Sequence, residues 1–176
     1  MPYARLRLLG PFGAALSLGC ATMNAAGSKG PPIRTDRSSY VVNDSAGLSS
    51  LTIRMTYTNN TGKTAYLPTC RGPQPPRLQK QVGDTWVVAF APTILACEGA
   101  PIQVAAGDNY DYTFRILAGM PGTSYAPRWA VNDIPGTYRV LWEIFSDVQG
   151  NPARPVTTRN PLPVDQEISN SFQLVR

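Results

Sequence analysis

Asp133-Ile134-Pro135-Gly136-Thr137-Tyr138-Arg139-Val140-Leu141-Trp142-Glu143-Ile144-Phe145 is the stretch whose reading decides the fold. Asp, Pro and Gly at its head are turn residues. Asp bonds its own backbone, Pro presets φ, and Gly reaches conformations closed to other residues. The run after them alternates, so that Tyr138, Val140 and Trp142 fall on one side of an extended chain. The stretch predicts a turn feeding directly into a core β-strand.

The same period of two recurs on either side of it. Leu51, Ile53, Met55 and Tyr57 alternate with Thr52, Arg54, Thr56 and Thr58. Tyr110, Tyr112, Phe114 and Ile116 alternate with Asp111, Thr113 and Arg115. One apolar and one polar face mark a strand with one side on the core. Shorter strands are expected at 37–42, 64–68, 78–82, 86–91, 102–104 and 171–175. Turn clusters such as Asn43-Asp44-Ser45-Ala46-Gly47 and Asn59-Asn60-Thr61-Gly62-Lys63 separate them. Residues 117–132 and 147–163 read as long loops. No helical periodicity appears beyond residue 20. The pattern predicts an all-β, immunoglobulin-like antiparallel β-sandwich of about seven to nine strands, with an open barrel as the alternative.

Composition agrees. The chain has 176 residues, 17 Pro, 15 Gly and only 15% charged residues. That suits one turn-rich domain able to bury about two thirds of its unfolded surface. Net charge is +5; without Arg5 and Arg7 it is 14 basic against 11 acidic residues, or +3. The other basic residues form no run along the sequence, which argues against a nucleic-acid partner. There is no His. Ser-His-Asp and Cys-His catalysis and His-ligated metal sites are thereby excluded. Asp108-Asn109-Tyr110-Asp111 lacks the ligand spacing of a calcium loop, and Asp108 is expected to cap a turn. No metal, cofactor or catalytic residue is predicted. A carboxylate-dependent hydrolase is the enzymatic alternative. Trp86, Trp129, Trp142, Tyr57, Tyr110 and Tyr112 are expected in the core rather than on a sugar-binding platform, with Trp129 the one to test for exposure. Arg71, Arg77, Arg154 and Arg159, in predicted loops, are the candidate ligand contacts.

Three local patterns resemble known families. Asp133, Gly136, Tyr138 and Val140 resemble the tyrosine corner of immunoglobulin-like sandwiches, where a Tyr hydroxyl bonds backbone a few residues upstream. Val140 stands where an antibody domain has its second core Cys, so the likeness is to the architecture. Asn59 to Lys63 is similar to a strand ending common in bacterial immunoglobulin-like modules. Residues 1–20 resemble a bacterial lipoprotein signal peptide: Arg5 and Arg7, an apolar run from Leu8 to Leu18, then Leu16-Ser17-Leu18-Gly19-Cys20. Gly19 and Cys20 fit the lipobox; the slot that favours Leu holds Ser17.

These resemblances imply a signal peptide at 1–19, a lipidated Cys20 with a flexible tether to residue 32, and a sandwich domain at 33–176. They imply a membrane anchor, with the outer membrane preferred, and a non-catalytic binding or structural role toward an unknown protein or glycan in the cell envelope. Cleavage near Asn24-Ala25-Ala26 would instead give a secreted or periplasmic chain. The alternative function is a secreted immunoglobulin-like proteinase inhibitor, with an exposed loop such as 148–163 entering the protease. If Cys20 is lipidated, Cys70 and Cys97 remain as a pair in an oxidising compartment. A bridge between them would add about 3 to 4 kcal/mol in the chain-entropy model.

Overall fold

The structure is a computed structural model that describes residues 30–94, 99–150 and 157–176. The expected signal peptide at 1–19, Cys20, Cys97 and Arg154 lie outside the described residues.

The fold is an all-β sandwich of open sheets. Its longest ladder pairs β4 (Leu48–Thr58) with β9 (Asn109–Gly119), antiparallel from Leu48 opposite Gly119 to Thr58 opposite Asn109. β1 (Ile33–Thr35) and β3 (Asn43–Ser45) share the other edge of β4. A second sheet runs β2 (Ser39–Val41), β13 (Phe172–Val175), β10 (Gly136–Leu141), β6 (Arg77–Val82), β7 (Thr85–Phe90). Its pairs are antiparallel except β13 with β2. A third runs β12 (Thr157–Pro161), β11 (Phe145–Gln149), β5 (Ala65–Leu67), β8 (Ile102–Val104). β1, β3, β11 and β12 raise the total above the seven to nine expected; β1 and β3 are too short to show a period of two.

The apolar rows meet between the layers. Phe90 of β7 packs on Phe114 of β9 at 6.2 Å, and Tyr112 packs on Trp142 at 5.0 Å. Tyr40 meets Phe172 edge-on at 5.3 Å. Each fully buried large side chain stabilises by roughly 1.5–3 kcal/mol. Trp129 is also core: it is 2% exposed, and its indole N–H donates to the Ser49 hydroxyl.

The 133–145 stretch is turn and strand, but not one strand. β10 stops at Leu141, and β11 begins at Phe145 in a different sheet. Glu167 bonds to both sides of the crossing, and Leu162 adds a bond to Ile144. The Glu167 carbonyl accepts from the Trp142 N–H at 2.9 Å, and its carboxylate accepts from the Ile144 N–H at 3.0 Å. Trp142 and Ile144 stay buried across the break, so the alternation runs on unbroken while the hydrogen-bond partner changes. The expectation of a loop at 147–163 is also corrected. Asp147 pairs with Arg159 and Val148 with Thr158, making a two-stranded arm of β11 and β12. Its residues are mostly polar, and a strand without an apolar face leaves no periodic trace.

At the head of β10, Gly136 has φ +141°, a region only Gly enters freely, and a Cβ there would lie 2.8 Å from the Lys80 side chain. That space lets the Lys80 ammonium donate to the Asp133 carbonyl at 2.5 Å. The Tyr138 hydroxyl donates to the Ile134 carbonyl at 2.6 Å, with both residues fully buried. Asn59 pins the turn after β4. Its amide donates to the carbonyls of Lys63 and Val104, and its oxygen accepts from the Thr61 N–H and hydroxyl.

Candidate functional site

The loop arginines do not form a common site in the described residues. Arg71 is exposed, at a positive φ of 57° in the Pro-rich turn. Arg77 lies on β6 and is ion-paired with Glu143 at 2.9 Å. Arg159 lies on β12, exposed. Nor do the aromatics make a platform. Trp142 and Tyr57 are buried, Tyr110 and Tyr112 pack on Trp142, and Trp86 lies under the Arg139 guanidinium at 4.4 Å.

The outward face of β1, β4 and β9 gathers basic residues instead. Registered partners on antiparallel strands share a face, so the pairing fixes which side chains are neighbours. Arg34 stands opposite Thr56, Arg54 opposite Thr113, and Thr52 opposite Arg115. Each step from Arg34 to Arg54 to Arg115 therefore moves one strand sideways and two residues along. The three arginines form a straight diagonal across three strands, with Cα atoms roughly 7–8 Å apart at each step. All three are exposed.

The face also carries two carboxylates, Asp36 and Asp111, each held by hydroxyl or Arg37 contacts. Asp111 accepts from the Thr56 hydroxyl at 2.6 Å. Asp36 accepts from the Tyr40 hydroxyl at 2.6 Å and pairs with Arg37 at 3.6 Å. Burial, with the Asp36 bond next, pushes the Tyr40 hydroxyl up to about 12, so it stays a donor at neutral pH. Among the described residues, Arg34, Arg54 and Arg115 take part in no ion pair. Two shallow open depressions flank the diagonal. One, about 460 Å³, is bounded by Arg34, Asp36, Arg54, Thr56, Asp111 and Thr113. The other, about 510 Å³, is bounded by Arg37, Ser39, Thr52 and Arg115. A face of this kind can hold anions by charge-assisted, bidentate guanidinium bonds and hydroxyls by the threonines.

The linear sequence hides this grouping because Arg34, Arg54 and Arg115 are far apart in it. Alternation alone would have put Arg54 and Arg115 on polar faces; only the register puts those faces together.

Cys70 lies in the turn between β5 and β6 and is not free. Beside it, the Thr69 carbonyl accepts from the Gly99 N–H at 3.2 Å, and the Thr69 hydroxyl donates to the Ala100 carbonyl at 2.9 Å. The chain just past Cys97 is thus held against the residue before Cys70.

No family model, curated protein or solved structure matches the chain.

Proposed function

We propose that the chain is an extracytoplasmic lipoprotein, anchored through Cys20 to a bacterial membrane, whose immunoglobulin-like domain binds a ligand in the cell envelope without transforming it. The observation that carries this reading is the open outer face of β1, β4 and β9. A rigid two-layer frame presents three guanidinium groups that form no ion pair among the described residues, beside threonine hydroxyls and the two carboxylates of Asp36 and Asp111. Such an arrangement suits recognition by charge and hydrogen bonding. The lipobox resemblance and the small, polar segment to residue 32 support the anchor: more than one acyl chain, at about 0.8 kcal/mol per buried methylene, holds a protein stably at a membrane. A Cys70–Cys97 bridge belongs to the same reading, since it requires an oxidising compartment. The bonds from Thr69 to Gly99 and Ala100 favour it.

The test is mass spectrometry of the N-terminal peptide from the membrane fraction of cells expressing the full chain. An acylated Cys20 as first residue is expected. An unmodified N-terminus at Ala26 or Gly27, with the protein in the soluble fraction, overturns the anchor.

A further inference from the structure

We propose that the diagonal of Arg34, Arg54 and Arg115 is the docking track for an acidic polysaccharide, a polymer whose carboxylates meet the guanidinium groups in succession. The proposal rests on the binding reading above and names the ligand class of that face.

Three observations select this class. First, the charges form a line across the strands, set by the pairing of Arg34 with Thr56, Arg54 with Thr113 and Arg115 with Thr52. A line of separate guanidinium groups suits a repeating anion better than one compact ion, which would engage a single arginine. Second, the surroundings are hydroxyl-rich. Thr52, Thr56, Thr58 and Thr113 lie on the same face, with Asn109 at its end. Thr56 and Thr58 already donate to Asp111 and Asn109, so they offer only their lone pairs, while Thr52 and Thr113 also offer donors to the hydroxyls that a sugar polymer carries between its charges. Third, the features of the competing polyanions are missing from this face among the described residues. Stacking platforms for single-stranded nucleic acid need exposed aromatic faces. Here Tyr110 and Tyr112 turn inward onto Trp142. Docking on a lipid surface draws on an apolar patch beside the charges. Leu117, 61% exposed, stands at one end and Val41, 58% exposed, borders the depression beside Arg115, while the strip from Arg34 through Arg54 to Arg115 is itself polar.

Arg37 reinforces the track without joining it. Its pair with Asp36 at 3.6 Å holds that carboxylate to one side, and the Tyr40 hydroxyl holds its other oxygen. Asp111 is similarly occupied by Thr56. Both carboxylates keep their charge. Asp36 stands beside Arg54, whose carbonyl accepts from the Asp36 N–H at 2.9 Å, and Asp111 stands opposite Thr56. The face thus sets Arg34, Arg37, Arg54 and Arg115 against two carboxylates and stays net positive.

The experiment is a binding titration of the full chain with polygalacturonate, at about 50 mM and about 200 mM salt. Neutral dextran, an oligothymidylate and phosphatidylglycerol vesicles run beside it. Saturable binding to polygalacturonate is expected, weakened at the higher salt and undetectable with dextran. Arg54→Gln and Arg115→Gln should each lose about fivefold to tenfold, consistent with one charge-assisted bond at an exposed site, and the double variant more than either. Arg71→Gln, in the Pro-rich turn, should stay within about twofold, since it removes only non-specific charge. Loss in Arg54→Lys would separate fork geometry from charge. The proposal is overturned by absence of saturable binding, by equal effects of Arg54→Gln and Arg71→Gln, or by tighter binding to the oligothymidylate or the vesicles. A chain acylated at Cys20 that ignores polygalacturonate overturns the ligand class alone. A chain that binds through Arg54 but carries an unmodified N-terminus overturns the anchor alone.

Discussion

Tyr57 and Tyr138 bury the same group in opposite circumstances. Both residues are fully buried. The Tyr138 hydroxyl donates to the Ile134 carbonyl at 2.6 Å. The Tyr57 hydroxyl has no partner among the described residues. Replacing each with Phe removes one oxygen and leaves the ring packing in place. In Tyr138→Phe the loss is a buried bond, and the Ile134 carbonyl is left without it. A net bond is worth about 1 kcal/mol and an orphaned buried acceptor costs about 1–3 kcal/mol, so a loss of about 2 kcal/mol is expected. At about 2–4 °C per kcal/mol for a domain of this size, the melting temperature falls by about 4 to 8 °C. In Tyr57→Phe the fold loses only an unpaired polar atom that it had to desolvate, and stability should be unchanged or rise by about 1 kcal/mol. Urea unfolding of both variants, with matched m-values, measures the contrast. A loss below about 0.5 kcal/mol in Tyr138→Phe, or a greater loss in Tyr57→Phe, would refute the assignment of that bond as the anchor of the turn.

Two further outcomes concern pH. Burial pushes the Tyr57 hydroxyl up from 10.0 to about 12. The unfolded chain then ionises first, so the Tyr57 contribution is complete below about pH 10 and is lost as pH rises toward 12. The stability gap between Tyr57→Phe and the unaltered chain should therefore widen in favour of the variant from pH 9 to pH 11.5; a constant gap in urea midpoints would contradict it. Glu167, 6% exposed, has its carboxyl raised by burial first, with the Ile144 N–H opposing and the Glu143 charge adding. A raised carboxyl means stability present at low pH and lost as pH climbs through the folded value. Glu167→Gln keeps an acceptor for Ile144 without the charge, so it should be the more stable chain at pH 7 and match the unaltered one near pH 4. Glu167→Ala should lose about 1–3 kcal/mol at every pH by orphaning the Ile144 N–H. If Gln destabilises as much as Ala at pH 7, the buried charge is favourable and the reasoning fails.

The parts of the fold legible in the sequence are those with a period. β4 and β9 alternate strictly over most of their length, and each residue's face followed directly from its position. β10 was legible because turn chemistry and alternation meet at Gly136 and Tyr138. Of the strands of three residues, β2, β5 and β8 were legible in short apolar runs bounded by turn residues, while β1 and β3 were not, since three residues contain no period to read. The change of sheet after Leu141 was hidden for a different reason: Trp142 and Ile144 remain buried, and the hydrogen bonds to Glu167 and Leu162 record the switch. The candidate site was hidden most completely. Its residues come from three strands, and no local pattern encodes which polar faces become neighbours. The loop arginines drew attention because loops carry binding groups on sandwiches. Here Arg77 is committed to Glu143, and Arg71 and Arg159 stand on separate elements.

The arginine diagonal contributes little to the fold that bears it. Neighbouring charges roughly 7–8 Å apart repel by about 0.5 kcal/mol in water, less once salt screens them. The sandwich can tolerate that cost. It gains no ion pair in return among the described residues, because Asp36 and Asp111 are held by Tyr40, Arg37 and Thr56. Threonine in place of Arg34, Arg54 or Arg115 would serve the strands as well or better, being β-branched and uncharged. What the three arginines supply is a reserve of unmatched charge on a rigid surface. The face stays net positive by itself, and a polymer of opposite sign can neutralise it at three points at once. Each contact is weak alone, but after the first the others form within one molecule, so the ordering cost of bringing the partners together is met once. That is why the double variant of Arg54 and Arg115 should lose far more than either single one, while its unfolding midpoint in urea stays at or above that of the unaltered chain.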